Sequence, residues 1–403
     1  MPIFKILLVC CMFIAFDAAH VEAGAWAQSK FIITFWSPPP SSSEALSAAA
    51  KEGFNLTWTY EYGLDVVRGQ GLMSMLQDDL LTPSTLDNPT QRVKLDALIN
   101  RVKNHPSLEA YYIADEPNAS DFRGLGRLVS YLRERDPNHF AFINLYPVYA
   151  TNKQLGINGT PERAYQEYLR RFIEEVKPAL LSYDHYHFYK THDGDQYFLN
   201  LELIRQAALE HGLPFLNIIQ ASTIEKSWRL VTPDELRWLV YTTLAYGGRG
   251  ISYFLYWGPR AYGGLYQEDV RTPLVDTVTV LNKELSAQSS VLMDLDNLGT
   301  YHTGPLPTGT KPVPISSPVR FGGTGNFVLG MFGKNSIITT FMVVNRDYKK
   351  QATAHLILKP QARSIEEFDR MSSKWKAYQA LNAEHGISVT LSPGDGRMFR
   401  LVP

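Results

Sequence analysis

Short apolar runs alternate with longer amphipathic segments along the first three quarters of the chain. Each run has the length and the β-branched and aromatic content of a buried strand. The predicted strands are Phe31–Phe35, Phe54–Tyr60, Gly71–Leu76, Leu108–Ile113, Ala141–Leu145, Leu180–Asp184, Pro214–Ile219 and Gly250–Tyr256.

The segments between these runs have the 3.6-residue period of helices with one apolar face. Thr232-Pro233-Asp234-Glu235 is a strong helix start, with a Thr cap, Pro in the first turn and acidic residues after it. Gly212, followed by Pro214, is a matching stop for the helix before it. The predicted helices are Ser43–Glu52, Gln91–Asn104, Asp121–Glu134, Pro161–Val176, Leu199–His211, Pro233–Tyr246 and Thr272–Leu292.

Eight strand–helix units in about 270 residues predict an α/β fold of the (β/α)8 TIM-barrel type. The alternative is an open, doubly wound sheet. That fold usually carries a Gly-rich phosphate-binding loop after an early strand, and no such loop occurs here. The pattern therefore favours the barrel.

After about Asn297 the composition changes, and Pro, Gly, Thr and Ser crowd Gly304 to Gly325. Short alternating runs follow, which predict a small, sandwich-like all-β domain that packs on the barrel. We expect the barrel over residues 24–296 and the β domain over 297–403. The predicted strands of this domain are Asn326–Met331, Ser336–Asn345, Thr353–Leu358, Ile387–Leu391 and Gly396–Val402.

The N-terminus has the pattern of a secretory signal over residues 1–23. Lys5 precedes the apolar run Ile6–Phe16, and Val21-Glu22-Ala23 offers a cleavage site. The run is too short to span a bilayer. Cys10 and Cys11 both lie inside it, so the mature chain would carry neither a disulfide nor a thiol nucleophile. We expect a secreted or periplasmic protein.

Composition excludes some classes of partner. The chain has 403 residues with a net charge of −1, which gives no electrostatic reason to bind nucleic acid or, after signal cleavage, a membrane. Aromatic residues make up 12%, a share that suits both a large core and a cleft whose rings stack on sugars.

Three sequons for N-glycosylation occur, at Asn55, Asn118 and Asn158. A glycan on Asn118 would lie beside Glu116 and block the cleft proposed below. We therefore expect that sequon to be unused.

The fourth predicted strand ends in Asp115-Glu116-Pro117-Asn118. Catalytic groups of a TIM barrel lie at the carboxyl ends of its strands, so Glu116 is the leading candidate for a catalytic acid. The like charge of Asp115 would raise its pKa, as that role requires. An alternative role for Asp115 or Asn118 is to cap the following helix, which leaves Glu116 unexplained.

The other strand ends carry carboxylates, amides and aromatic rings, with few cations. This set suits a neutral, polyhydroxylated ligand such as an oligo- or polysaccharide, whereas phosphorylated ligands favour Arg, Lys or a helix N-terminus. The candidate substrate-binding residues are Trp36, Trp58, Tyr60, Glu61, Asp78, Asp115, Asn144, Tyr146, Tyr186, Gln220, Tyr256 and Trp257.

The sequence predicts neither a metal nor a cofactor. Strand alternation places Asp184 and Tyr186 on one face and His185 and His187 on the other. One ion would not reach all of them without a sharp turn, and the spacings typical of zinc sites are absent.

Asp115-Glu116-Pro117 resembles the end of strand four in clan A glycoside hydrolases. Three further segments are similar to barrels of the family 42 and family 5 kind and their bacterial relatives. The resemblance covers the barrel only, and it implies a (β/α)8 enzyme with the acid/base on strand four and a nucleophilic Glu on strand seven. The segments are Ser182-Tyr183-Asp184-His185-Tyr186, Glu235-Leu236-Arg237-Trp238 through Leu244-Ala245-Tyr246-Gly247, and Gly250-Ile251-Ser252-Tyr253-Phe254 through Trp257.

The chain departs from that pattern on strand seven, which ends in Gln220. An amide cannot form a glycosyl ester, yet hydrolysis needs a second carboxylate. We expect Asp184 to be that partner. Glu225, or one of Glu61, Asp78 and Asp79, is the alternative, and a role for Asp184 in binding substrate hydroxyls or His185 also stays open.

The function predicted from these residues is a secreted glycoside hydrolase acting on a neutral glycan, with Glu116 as the general acid. Gln220 motivates the main alternative, a catalytically inactive barrel that binds carbohydrate. A third hypothesis is a non-catalytic surface protein whose β domain binds a partner.

Overall fold

The computed structural model describes residues 26–223, 227–358, 364–378 and 386–402. Its first part is a parallel sheet of eight strands. These are β1 (Ile32–Phe35), β2 (Leu56–Thr59), β3 (Met73–Leu76), β4 (Leu108–Asp115), β5 (Phe140–Leu145), β6 (Leu181–His185), β7 (Phe215–Gln220) and β8 (Gly250–Phe254).

Helices cover the outside of this sheet. They are α1 (Ser43–Lys51), α2 (Leu64–Gly69), α3 (Pro89–Val102), α4 (Phe122–Arg135), α5 (Asn152–Leu155), α6 (Pro161–Val176), α7 (Tyr197–Glu210), α8 (Pro233–Ala245) and α9 (Leu274–Asp294). None of the helices in the described residues is long and apolar enough to cross a membrane.

The strand order β1-β8-β7-β6-β5-β4-β3-β2 confirms the TIM barrel. At the seam between β1 and β2, the side chain of Asn55 forms hydrogen bonds in place of main-chain pairing between the strands. Its Nδ2 donates to Phe31 O (2.8 Å), and its Oδ1 accepts from Ile33 N (2.9 Å). The Asn55 main-chain N–H donates to Ile33 O (3.0 Å). Thr34 Oγ1 of β1 also donates to Leu56 O of β2 (2.9 Å), so Asn55 and Thr34 together join the two edges of the ring.

Between β8 and α9 the chain forms a small sheet of β9 (Trp257–Gly258), β10 (Tyr266–Gln267) and β11 (Val270–Arg271). The sequence did not indicate these strands.

The C-terminal part contains two antiparallel sheets that enclose one core, which confirms the β domain. The larger sheet has the order β12-β14-β15-β20-β17-β18 and the smaller one β13-β16-β19. Its strands are β12 (Asp296–His302), β13 (Val319–Phe321), β14 (Phe327–Lys334), β15 (Ile337–Asn345), β16 (Ala352–Leu358), β17 (Ser364–Asp369), β18 (Lys374–Ala377), β19 (Gly386–Leu391) and β20 (Gly396–Val402).

The larger sheet of this domain packs directly on α8. Gly330 of β14 lies so close that a Cβ there would be 2.3 Å from Ala245 O. Asn297 donates to the same oxygen (2.9 Å), and Trp238 Nε1 donates to Arg346 O (3.1 Å). The barrel and the β domain therefore share a close-packed interface.

Two expectations fall outside the described residues. These are the secretory signal at the N-terminus and the alternative partner carboxylate Glu225.

Candidate active site

A β-bulge in β4 determines the face of the strand on which the Asp115 carboxylate lies. Tyr112 pairs with Phe142 and Ala114 with Ile143, so Ile113 is an extra residue in the strand. One extra residue reverses the alternation of side chains beyond it. Asp115 consequently pairs with Asn144, whose Nδ2 donates to Asp115 Oδ1 (3.0 Å). This acidic side chain therefore belongs to the cleft.

Glu116 lies immediately beyond the strand, with φ of 44°. This left-handed conformation is uncommon for a non-glycine residue and costs about 1–3 kcal/mol. Its N–H donates to Asn144 O (2.8 Å), which fixes the turn. The turn directs the Glu116 carboxyl back over the strand ends, where it meets β6.

The carboxyl groups of Glu116 and Asp184 lie close together, and this proximity helps to raise the pKa of Glu116. Asn144 Nδ2 also donates to Asp184 Oδ1 (3.1 Å), and Ser182 Oγ donates to Asn144 Oδ1 (3.1 Å). Two carboxyl groups this close share one proton, because both cannot stay ionised at that distance. Asn144 thus bridges the acidic ends of β4 and β6.

Burial is the main reason why both carboxyl groups hold their protons strongly. Burial and the charges of Asp184 and Asp115 together raise the pKa of Glu116 to about 9. Burial and the charge of Asp115 raise the pKa of Asp184 to about 7, against the hydrogen bond from Asn144 and the nearby hydroxyl of Tyr186. Near neutral pH the pair holds one proton, mainly on Glu116.

Tyrosine side chains surround the pair. Tyr186 lies beside Asp184, and its hydroxyl acts to lower the pKa of that carboxyl. Burial, followed by the charges of the nearby carboxylates, raises the pKa of Tyr112, Tyr146 and Tyr149. These phenols stay protonated at neutral pH and offer neutral hydrogen-bond donors around the acidic pair.

Asn118 has the capping role that the sequence left open. Its Oδ1 accepts from Ser120 N (3.0 Å) at the start of a short 3₁₀ helix that leads into α4. Its Nδ2 donates to Lys153 O and Gln154 O (both 3.0 Å). Asp115 takes no part in this cap, since its carboxylate faces Asn144.

Gln220 and Tyr256, two of the candidate ligand contacts, are buried and hydrogen-bonded within the protein. Gln220 is fully buried, and its carboxamide binds the main chain of Phe188 and Arg229. Tyr256 is buried behind β8, and its hydroxyl donates to Glu52 Oε2 (2.8 Å).

Glu61 and Asp78 bind within the protein rather than to the carboxyl pair. Glu61 forms a two-bond salt bridge with Arg101 (2.6 and 2.8 Å), and this bridge lowers its pKa. Asp78 Oδ1 accepts from Leu80 N (2.9 Å) in a turn. Neither geometry supports these residues as the second carboxylate.

The remaining aromatic candidates lie at different depths. Trp58 is buried, and half-buried Trp36 packs edge-on against it at 4.5 Å between ring centroids. Tyr60 is exposed on the rim. Trp257 is half-buried and lines a cavity of about 450 Å³ with Pro39 and Tyr266.

The two histidines of the β6 end point away from Asp184. His185 Nδ1 is 2.9 Å from Asn200 Oδ1, and His187 stacks on Trp238. Among the described residues, no group of three or more His, Cys, Asp or Glu side chains is placed to hold a metal ion.

Sequence reasoning missed Tyr112, Tyr149 and Ser182, which complete the surroundings of the pair. Tyr112 lies just before the bulge. Because the bulge reverses the alternation of side chains, Tyr112 could not be assigned to the cleft from the position of the acidic residues after it. Tyr149 lies in the loop that follows β5 and approaches β6, where it accepts from Tyr186 N (3.3 Å). Ser182 lies two residues before Asp184 on the same strand face, a spacing that could have identified it.

Solved structures with a similar architecture are glycoside hydrolases. Gan42B, a family 42 β-galactosidase, superposes with a TM-score of 0.55 at 9% identity, over 93% of this chain and 98% of that protein. A candidate α-galactosidase from Bacteroides fragilis gives 0.50 at 10% identity, over 93% and 79%. The chain has a clan A-like glycoside hydrolase fold.

A β-galactosidase from Marinomonas gives a TM-score of 0.46 at 10% identity over 66% of this chain, and the alignment spans 60% of that protein's length. No family model matches the sequence, and no curated protein matches it either.

Proposed function

We propose that this protein is a secreted glycosidase that hydrolyses a neutral glycan, with Glu116 as general acid and Asp184 as its partner. The observation that carries the proposal is the carboxyl cluster at the strand ends of the barrel, where Asn144 Nδ2 donates to both Asp115 and Asp184 and Glu116 lies beside Asp184. The glycoside hydrolase fold agrees with it.

Protonated Glu116 would donate its proton to the glycosidic oxygen as the bond to the anomeric carbon breaks. Asp184, ionised while Glu116 holds the shared proton, would either attack that carbon or activate a water. Retaining enzymes separate the two carboxyls by about 5–5.5 Å and inverting ones by about 6.5–9.5 Å. The separation of the two carboxyl groups in the glycan complex would therefore decide between these outcomes.

The test is a panel of aryl glycosides and neutral oligosaccharides. We expect Glu116→Gln and Asp184→Asn each to reduce kcat/KM by about 10²–10⁴-fold, and the double variant to lose little more, since the two act as a unit. Asp121→Asn, which changes an exposed carboxylate on the short 3₁₀ helix after β4, is the matched control. Full activity in Asp184→Asn would discard that residue as the partner.

Gln220 supports a second candidate, a barrel that binds glycan without turnover. Where the clan places its nucleophile, this chain has a carboxamide bonded to the main chain. The same panel separates the two functions, because glycan binding with no detectable turnover of any member would favour the second.

A further inference from the structure

Two groups of aromatic side chains lie at opposite points of the barrel mouth, the rim formed by the carboxyl ends of its strands. The first, the tyrosine pair, consists of Tyr60 and Tyr62 after β2. The second, the Tyr189 stack, consists of Tyr189, His192 and Trp228 on the loops after β6 and β7. In a ring of eight strands, β2 and β6 are half a circumference apart. Neither group is needed for the chemistry of the carboxyl pair.

The tyrosine pair is unusually exposed. Tyr60 is 46% and Tyr62 78% exposed, with ring planes 9° apart and centroids separated by 5.8 Å. The intervening Glu61 turns the other way and anchors the segment to Arg101 on α3. Tyr62 therefore buries little of its surface in the fold, and about half of Tyr60 is open to solvent. A fixed, exposed aromatic patch beside a cleft is typical of a binding surface.

The Tyr189 stack connects to the carboxyl pair. Tyr189 stacks on His192 at 4.8 Å and on half-buried Trp228 at 5.3 Å. Tyr189 and Trp228 also form a β-bridge between their two loops. Trp228 Nε1 donates to the carbonyl of Tyr186 (3.4 Å), and the side chain of Tyr186 lies beside Asp184. A single residue, Tyr186, therefore lies between the Tyr189 stack and Asp184.

From these positions we infer that the cleft binds an extended neutral glycan across the mouth, with the tyrosine pair and the Tyr189 stack as distal subsites on either side of the cleaved bond. The inference rests on the proposed function and adds its substrate class: an internal linkage of an oligo- or polysaccharide. Four strand spacings of about 4.8 Å give a half-circumference of roughly 19 Å, so the two groups are roughly 12 Å apart or more. A single sugar would not reach both.

The chemistry of the two groups fits a neutral sugar chain. The faces of pyranose rings carry C–H groups that pack on aromatic rings, and this contact needs no charge. Arg101 is the cation nearest the tyrosine pair in the contacts described, and Glu61 neutralises it. The tyrosine pair thus provides apolar surface, whereas burial and then the charge of Asp195, which lies close to Tyr189, raise the pKa of that phenol.

The experiment measures binding apart from turnover. Isothermal titration is carried out with Glu116→Gln, using β-1,4-linked hexasaccharides of glucose, mannose and xylose and the corresponding disaccharides. We expect Tyr62→Ala and Trp228→Ala, each added to Glu116→Gln, to weaken hexasaccharide binding about tenfold and to leave disaccharide binding unchanged. Trp228→Phe should restore most of the loss. Ile315→Ala, at an 88% exposed position on the β domain, is the control.

In the active protein, the same two substitutions should raise KM for the hexasaccharide more than KM for aryl glycosides. The first products of the wild-type protein should be internal fragments. Unchanged hexasaccharide binding in either variant, release of terminal single sugars only, or no hexasaccharide binding by Glu116→Gln would overturn the inference. If the wild-type protein hydrolyses none of the substrates but the two variants bind the hexasaccharide more weakly as expected, the subsites are supported and the proposed hydrolysis is contradicted.

Discussion

Gln220 closes a hydrogen-bonded ring with the main chain of Phe188. The Phe188 N–H donates to Gln220 Oε1 (2.9 Å), and Gln220 Nε2 donates back to Phe188 O (3.1 Å). The same Nε2 donates to Arg229 O (2.8 Å). One side chain thus ties together the two loops that carry Tyr189 and Trp228. At this strand end the fold uses an amide because both a donor and an acceptor are required.

Gln220→Glu should therefore destabilise the protein rather than supply a nucleophile. A buried carboxylate in this place would face carbonyl oxygens and leave them unpaired, at a cost of about 3 kcal/mol or more. We expect the loss to be smaller at low pH, where the carboxyl is protonated and can donate. Denaturant unfolding at several pH values, with Gln351→Glu at an exposed position as the control, measures this. A gain in glycosidase activity would show that the ring with Phe188 is dispensable.

Glu116→Gln should stabilise the protein at alkaline pH. The pKa of Glu116 is raised from 4.5 to about 9 in the folded state, so folding retains a proton that the unfolded chain releases between these values. The stability that this proton gives is complete below about pH 4.5 and is lost as the pH rises through about 9. Glutamine is neutral at every pH, so the variant does not lose this part of its stability as the pH rises.

We expect the free energy of unfolding of Glu116→Gln to exceed that of wild type by about 1.4 kcal/mol or more near pH 8, the equivalent of one pKa unit. The two proteins should converge near pH 4.5. Denaturant titrations across this range check it, with Glu210→Gln on the exposed end of α7 as control. A difference that does not vary with pH would mean that Glu116 is ionised at neutral pH.

Asp115→Asn should move both limbs of the pH–activity profile to lower pH. The charge of Asp115 raises the pKa of both Glu116 and Asp184, so its removal makes both easier to ionise. In wild type we expect a bell-shaped kcat/KM profile with apparent values near 7 and 9, which belong to the pair as a whole. A shift of about half a unit or more in each limb is expected. A profile unchanged by the substitution would place Asp115 outside the electrostatics of the pair.

Asn55→Ala should weaken the barrel at its seam. The substitution removes two side-chain hydrogen bonds, to Phe31 O and from Ile33 N, and leaves both groups without that partner. We expect a loss of about 2–3 kcal/mol in the free energy of unfolding. Asn158→Ala, at an exposed position, should change stability by less than about 0.5 kcal/mol. Equal stability of the two variants would contradict the role of Asn55 in closing the ring.

The barrel was predictable because its strands are buried on both faces and therefore stand out as apolar runs. Leu108–Asp115 exceeds its predicted end by two residues, because the bulge at Ile113 carries the ladder into polar sequence. The strand Asp296–His302 was missed for a related reason. Its Asn297 and Gly299 are typical of a turn, yet Asn297 is buried by hydrogen bonds to α8 that only the assembled interface provides.

Glu116, Asp115, Asn144 and Asp184 could be selected from their positions at strand ends, and the structure brings these four together. The approach of the Glu116 and Asp184 carboxyls depends on the positive φ of Glu116 and on the bulge at Ile113. Neither feature can be recognised from composition or periodicity. Gln220 shows the opposite limit. Its strand-end position suggested a ligand contact, but loops distant in sequence saturate its carboxamide.

The seam residue Asn55 also begins one of the three sequons, Asn55-Leu56-Thr57. An oligosaccharyl transferase would attach its sugar to the same Nδ2 atom that donates to Phe31 O. A sugar attached there would replace one hydrogen of the group that donates to Phe31 O and would crowd the seam between β1 and β2. In a host that glycosylates nascent chains, barrel closure and sugar transfer compete for one nitrogen atom. The yield of folded protein then depends on which of the two happens first.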